Sequence, residues 1–241
     1  MAMSEITIDG QLNERERQIL IAAIRNAKKK PQVVLEVGTW LGGGSTLHFL
    51  RALHQNGEGH LWGVEAARSI YDQMIANIRK AAPEALDRFT PLFGFSQQII
   101  PVWLKEQGDK VVVDVAFLDG GDNPFEQIVE FKLLADRIPV GGRLMAHDAK
   151  LRKGKWLGPY LTQLDNWQVQ IHDISTEGLL EAVKLRDQPS PASRRAAGWK
   201  LFTLRMEPVE FVARWVPRRV CEFILNAIPK KLMLRLSQGR K

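Results

Sequence analysis

Val33-Val34-Leu35-Glu36-Val37-Gly38-Thr39-Trp40-Leu41-Gly42-Gly43-Gly44-Ser45 is a nearly continuous apolar run that breaks into a glycine-rich turn. Apolar residues at successive positions, without alternation, suit a strand buried on both faces of a sheet. Three consecutive glycines cost chain entropy that a plain connector has no reason to bear. They let a backbone turn tightly and approach a ligand that larger side chains would exclude. The stretch therefore reads as a central strand followed by a ligand-binding turn and then a helix start.

Upstream, Asn13 with Glu16 resembles a capping box, and Leu12, Ile19, Leu20, Ala23, Ile24 and Ala27 recur at helical spacing. Lys28, Lys29 and Lys30 favour the negative end of that helix, and Pro31 stops it. Downstream, the spacing predicts strands at His60–Glu65, Phe89–Phe93, Val111–Asp119 and Gly142–His147. Helices are predicted between and after them at Ser69–Ala81, Ser96–Gln107, Phe125–Ile138 and Trp156–Leu164. Trp167–Asp173 and Leu179–Leu185 complete the strands, and their short link favours an antiparallel pair at the sheet edge. Regular alternation of strand and helix means a mostly parallel sheet covered on both faces, a doubly wound α/β fold. Gln188–Ala197, rich in Pro, Ser and Arg, reads as a linker. The expected organisation is an α/β domain over 1–205 and a helical tail over 206–241.

Composition agrees with this reading. The chain has 241 residues, 45% of them hydrophobic and 25% charged, enough to bury a full core, which excludes disordered, collagenous and disulfide-scaffold classes. Its single cysteine, Cys221, can make no intrachain bridge and reads as an ordinary apolar side chain. The first residues lack a basic start followed by an apolar run, and no stretch is long enough to span a bilayer, so the expected location is the cytoplasm. Of a net charge of +7, the segment Met206–Lys241 carries eight Lys/Arg against three Glu. The excess is in the tail, so nucleic acid is not the expected partner of the main domain. The tail's apolar and basic helical pieces suit packing on their own domain, a homodimer contact, or peripheral contact with an anionic inner-membrane face.

In an open α/β sheet, ligands sit beyond the carboxyl ends of the strands, so residues just after each strand carry the chemistry. The turn after Val37 does not follow the G-x-G-x-x-G spacing of dinucleotide enzymes, because Trp40 stands two positions after Gly38. An acidic residue, a glycine and a later glycine cluster resemble instead the first motif of the class I S-adenosylmethionine-dependent methyltransferases. The resemblance extends over about Gln32 to Leu185. Glu65 ends the second strand, Phe93-Gly94-Phe95-Ser96 follows the third, Leu118-Asp119-Gly120 ends the fourth, and Gly141-Gly142 precedes a fifth ending in His147-Asp148. Within that superfamily the two last motifs look most like the catechol-like small-molecule O-methyltransferases and their bacterial relatives.

The resemblance implies S-adenosylmethionine as cofactor, held by Glu36, Gly38, Thr39, Gly42, Gly43, Ser45, Glu65, Ala66, Gly94, Ser96 and Asp119. Glu65 would take the ribose hydroxyls. It implies methyl transfer to a hydroxyl of a small molecule such as a sugar, a phenol or a lipid-linked acceptor. Asp119, His147 and Asp148 would be ligands of Mg²⁺ or another divalent cation, and His147, Asp119 and Asp122 the catalytic groups. The chain departs from the family at two places. It has His147-Asp148 where catechol-like enzymes have Asp-Asn, and Asp122 where they have a lysine base. A metal-free route, with His147 as general base oriented by Asp148 or Asp119, is the alternative chemistry. A cofactor-binding protein without turnover is the alternative function, and an NAD-linked oxidoreductase is disfavoured by the glycine spacing. Asn123 and Lys150 lie on loops that could face the acceptor.

Overall fold

The computed structural model describes residues 8–108 and 110–206. Residues 207–241, with Cys221 and the roles expected of the basic tail, lie outside the described residues. The chain divides after Ala197 into two compact units.

Helix α1 (Glu14–Arg25) starts at the expected capping box. The Glu16 amide donates to Asn13 Oδ1 at 3.0 Å, and the Asn13 amide donates to Glu16 Oε2 at 2.9 Å. Strand β1 (Val33–Val37) follows, then α2 (Thr46–Asn56), β2 (His60–Glu65), α3 (Arg68–Ala81), β3 (Phe89–Phe93) and α4 (Ser96–Gln107). After these come β4 (Val115–Leu118), α5 (Pro124–Leu134), β5 (Arg143–Ala146), α6 (Leu157–Leu161), β6 (Trp167–His172), β7 (Leu179–Lys184) and α7 (Pro191–Arg205). The sheet has seven strands in the order β3-β2-β1-β4-β5-β7-β6. The first five are parallel; β7 runs antiparallel to both β5 and β6. This is the doubly wound, mostly parallel architecture expected.

Strand β1 is buried from Val34 to Val37, and β4 along its whole length, as central strands covered on both faces must be. Strand order reverses between these two, which opens a crevice beyond their carboxyl ends. The ladder continues into it, because the Asp119 amide donates to Val37 O at 2.8 Å and the His147 amide to Leu118 O at 3.1 Å.

Two expectations need correction. The strand predicted over Val111–Asp119 spans only Val115–Leu118, since the Val113 amide leaves the ladder to donate to Arg137 O at 2.9 Å, while Asp114 adds its carboxylate to the amides of Gln32 and Val33, at 2.8 and 3.1 Å. The predicted linker Gln188–Ala197 contains the start of α7. Ser190 Oγ accepts from the Ser193 amide at 3.2 Å as an N-cap, and Pro191 stands at the first helical position, where its missing N–H costs nothing. No helix among the described residues is long and apolar enough to cross a membrane.

Candidate active site

The glycine turn serves two different neighbours. Gly38 has φ +86°, and a Cβ there would lie 2.7 Å from the backbone of Asp119 and Gly120, so glycine lets the ends of β1 and β4 close together at the crevice. Gly43 answers to another constraint. A Cβ on it would stand 2.2 Å from Ile8 O and 2.4 Å from Asp9 O, so the segment before α1 lies directly over the loop. The glycine run is thus partly a seat for the chain's own backbone, a correction to its reading as wholly a cofactor cradle.

Between these glycines, Trp40 adopts φ +46°, which a large side chain rarely does, and its amide donates to Glu65 Oε2 at 3.0 Å. The Ala67 amide donates to Glu65 Oε1 at the same distance. Both oxygens of Glu65 are fixed by backbone while each keeps a lone pair for a hydroxyl donor. Among the described residues, the other non-glycine with positive φ is Asp148, at 58°. Trp40 and Asp148 both line one cavity of about 310 Å³. Backbone strain held on the wall of a crevice is a mark of a functional site.

Gly38, Glu65, Ala66, Gly94, Ser96 and Asp119 line that cavity, and so does Asp122 at its exposed rim. Glu36, Thr39, Gly42, Gly43 and Ser45 are not on its wall. Glu36 is fully buried below the turn, where the Ser45 hydroxyl donates to its Oε1 and its Oε2 has no partner. Burial pushes its carboxyl up to about 8 against the hydrogen bonds from Ser45 and Thr46, with the charges of Asp119 and Glu65 adding to the rise. Glu36 acts on the site as a buried acid that shapes the loop.

At the ends of β4 and β5, Asp119, His147 and Asp148 come together with donor atoms all within 4.8 Å of one another, as the strand order requires. A fourth group stands among them. Lys153 Nζ lies 2.8 Å from Asp119 Oδ1, 2.7 Å from Asp148 Oδ2 and 3.1 Å from Asp119 O. It is buried, at 7% exposure, and lines the cavity. Desolvation works against its charge, but Asp119 and Asp148 outweigh that and hold it above the usual lysine range. The donor set therefore does not suit a divalent cation as it is folded, because a lysine ammonium already engages two of its three members.

His147 stands behind this pair, buried and off the cavity wall, rather than at the mouth where a base for the acceptor would stand. Its Nδ1 is 3.4 Å from both Asp119 Oδ1 and Asp148 Oδ1, and its Nε2 is 3.3 Å from Glu16 Oε1. Burial would lower its pKa, but the hydrogen bond and charge of Asp119, then the charges of Asp148 and Glu16, raise it above the ordinary value. Enclosed by Asp119, Asp148 and Glu16 and off the cavity wall, the imidazole is placed to brace these carboxylates.

Under the third strand's end, Glu130 of α5 accepts from Ser96 Oγ at 2.5 Å, leaving its Oε2 without a partner on a buried side chain that lines the cavity. Burial pushes its carboxyl up to about 7 despite that hydrogen bond.

Three of these residues are invisible to motif reading. Lys153 lies in a basic run that also holds Lys150, Arg152 and Lys155, and Gly154 after it was its one signal. A Cβ on Gly154 would stand 2.4 Å from Asp148 O, so this glycine folds the loop back onto the carboxylates. Lys150, expected near the acceptor, instead donates to Asp173 Oδ1 at 2.5 Å and Ser175 O at 2.7 Å. Asn123 is occupied as the N-cap of α5. Glu16 reads as a helix cap and is one, yet its second oxygen also accepts from Ser175 Oγ at 2.6 Å.

Comparison with known proteins agrees with this geometry. Residues 35–149 match a family model described as a methyltransferase domain. A comparison with curated protein sequences finds no match. Among solved structures, an O-methyltransferase from Bacillus cereus in complex with SAH superposes with a TM-score of 0.56 at 18% identity, covering 72% of this chain and 82% of that one. A methyltransferase from Geobacter sulfurreducens gives 0.57 at 16% identity, covering 73% and 80%. An rRNA methylase from Streptococcus thermophilus gives 0.53 at 14% identity, covering 77% and 99%. The β3-β2-β1-β4-β5-β7-β6 sheet, the glycine turn at its reversal and the methyltransferase-domain match over residues 35–149 together give this chain the α/β, Rossmann-like methyltransferase fold.

Proposed function

We propose that this chain transfers the methyl group of S-adenosylmethionine to a hydroxyl oxygen of a small molecule, a sugar, a phenol or a lipid-linked alcohol. One observation carries the reading. A single cavity runs from the backbone-fixed carboxylate of Glu65 past Gly38 to the paired carboxylates of Asp119 and Asp148. In this reading Glu65 would hold the ribose hydroxyls, and Gly94, Phe95 and Ser96 would hold the adenine. Glu130 Oε2 offers the buried acceptor that an exocyclic amine needs.

The reaction replaces an O–H bond with an O–CH₃ bond. S-adenosylmethionine would supply the methyl group and give up its sulfonium charge, and the acceptor must lose one proton. Asp119 accepts the acceptor's hydrogen bond, which turns an oxygen lone pair toward the methyl group, and takes the proton as the new bond forms. Holding the two reacting atoms in line supplies much of the rate by removing the entropy of encounter. His147, Lys153 and Glu16 keep Asp119 in that pose. Asp122, on the exposed rim, contacts the acceptor rather than the reacting atoms.

The test is transfer of labelled methyl from S-adenosylmethionine to panels of sugar, phenolic and lipid-linked alcohols, with a structured RNA as a control. Label on a hydroxyl oxygen supports the reading. Label on RNA, or none on any alcohol from a protein that binds the cofactor, rejects it in favour of RNA methylation or a binding role.

A further inference from the structure

The cluster at the ends of β4 and β5 presents an unusual balance. Two carboxylates and an imidazole of the types that hold divalent cations face one another, but the loop after β5 inserts its own ammonium between the carboxylates. All three N–H donors of Lys153 have acceptors at hydrogen-bonding distance: Asp119 Oδ1, Asp119 O and Asp148 Oδ2, at 2.8, 3.1 and 2.7 Å. The side chain is buried at 7% exposure, and Gly154 behind it is pressed so closely on Asp148 O that the loop is closed at that point. Removing the ammonium would leave two half-buried carboxylates facing each other with only the His147 imidazole, 3.4 Å from each, beside them.

We propose that Lys153 is the permanent cation of this site, a lysine ammonium that holds Asp119 and Asp148 in the role a divalent metal would have, so that the chain takes up no Mg²⁺ or Mn²⁺ there. Resting on the reading of the cavity as a methyl-transfer site, this makes the transfer metal-independent, with Lys153 as a positioning residue. A dication differs from an ammonium in what it can do: it would draw in the acceptor oxygen as a ligand. Lys153, with all its donors committed to Asp119 and Asp148, leaves the acceptor to the carboxylate itself. The acceptor class follows. A lone hydroxyl is sufficient, because no metal is there to chelate the adjacent pair of oxygens that a catechol presents.

Mn²⁺ binding tests this without reference to turnover. The full chain, its Lys153→Met variant and the double variant Lys153→Met with Asp119→Asn are titrated with Mn²⁺ and read by the free-ion electron paramagnetic resonance signal. The unmodified chain is expected to leave Mn²⁺ free, Lys153→Met to take up one ion per chain, and the double variant to lose it. Uptake by the unmodified chain that Asp119→Asn abolishes overturns the proposal. So does a folded Lys153→Met chain that takes up none, since the lysine would then not be what keeps the metal out. Should Lys153→Met not fold, Lys153→Ala replaces it, and the titration of the unmodified chain still decides. Calorimetry with S-adenosylhomocysteine on the same samples separates the two readings: its failure rejects methyl transfer and leaves the Mn²⁺ result standing. Activity after dialysis against a chelator is expected to be unchanged.

Discussion

His147 Nε2, at the end of β5, stands 3.3 Å from Glu16 Oε1 in the first turn of α1, so the helix that opens the domain supplies a charge to the back of the Asp119–His147–Asp148 cluster. The other oxygen of the same carboxylate caps that helix. Glutamine in place of Glu16 would keep the cap, since Gln also serves at the third position of a capping box, while removing the charge and replacing the oxygen that accepts from Ser175 Oγ by an amide NH₂. Glu16→Gln is expected to lower the pKa of His147, because the Glu16 charge is one of the influences that raise it. Titration of the His147 ring protons by NMR checks this; an unchanged or higher value contradicts it.

The same shift has a consequence for stability. A histidine whose folded pKa is above its unfolded value contributes stability that is complete below the unfolded value, about 6.5, and is lost as pH rises through the folded one. Glu36 and Glu130 act with the same sign, being pushed up to about 8 and about 7. Urea unfolding is therefore expected to show stability falling between about pH 5 and 8. Glu36→Gln, which keeps an acceptor for Ser45 and cannot ionise, is expected to flatten the upper part of that fall. A slope unchanged in this variant would mean Glu36 is already ionised in the folded chain.

Two glycine substitutions separate the two neighbours of the turn. Gly38→Ala meets both a positive φ and the Asp119 backbone at 2.7 Å, and is expected to cost about 1–3 kcal/mol and to weaken S-adenosylhomocysteine binding by displacing Asp119. Gly43→Ala meets Ile8 O instead, so its effect is expected first as faster amide hydrogen exchange near Gly10 and Gln11. The reverse pattern would contradict the assignment of these contacts.

Glu130→Ala removes the buried acceptor proposed for the adenine amine. Loss of one such hydrogen bond, about 1–1.5 kcal/mol, corresponds to roughly tenfold weaker binding of S-adenosylhomocysteine. Its inosine analogue, which lacks the amine, is expected to lose nothing. Equal losses for both would place Glu130 elsewhere in the site.

What could be read from residues alone divides along physical lines. The run Val33–Val37, the cap at Asn13 and the acidic ends of β2 and β4 declare themselves locally, through burial pattern, hydrogen-bonding side chains and spacing. Gly43 was legible as a constrained position but not as to its partner, because the backbone it accommodates, Ile8 and Asp9, is distant in sequence. The roles of Lys153 and Glu16 at the site are illegible for the same reason. A lysine in a basic run and a glutamate in a cap each look complete on a local view, and only the closing of the sheet brings them to Asp119 and His147. The start of α7 was missed because Pro191 was weighed as a breaker instead of as a first-turn residue behind a serine cap.

Calorimetric titration of the full chain with S-adenosylhomocysteine, repeated on Glu65→Ala and with NAD, bears most directly on the central claim. One molecule bound per chain is expected, with affinity reduced about 10- to 100-fold by Glu65→Ala through loss of its hydrogen bonds to the ribose, and no heat with NAD. Binding of NAD in its place, or affinity for S-adenosylhomocysteine untouched by Glu65→Ala, would contradict the account.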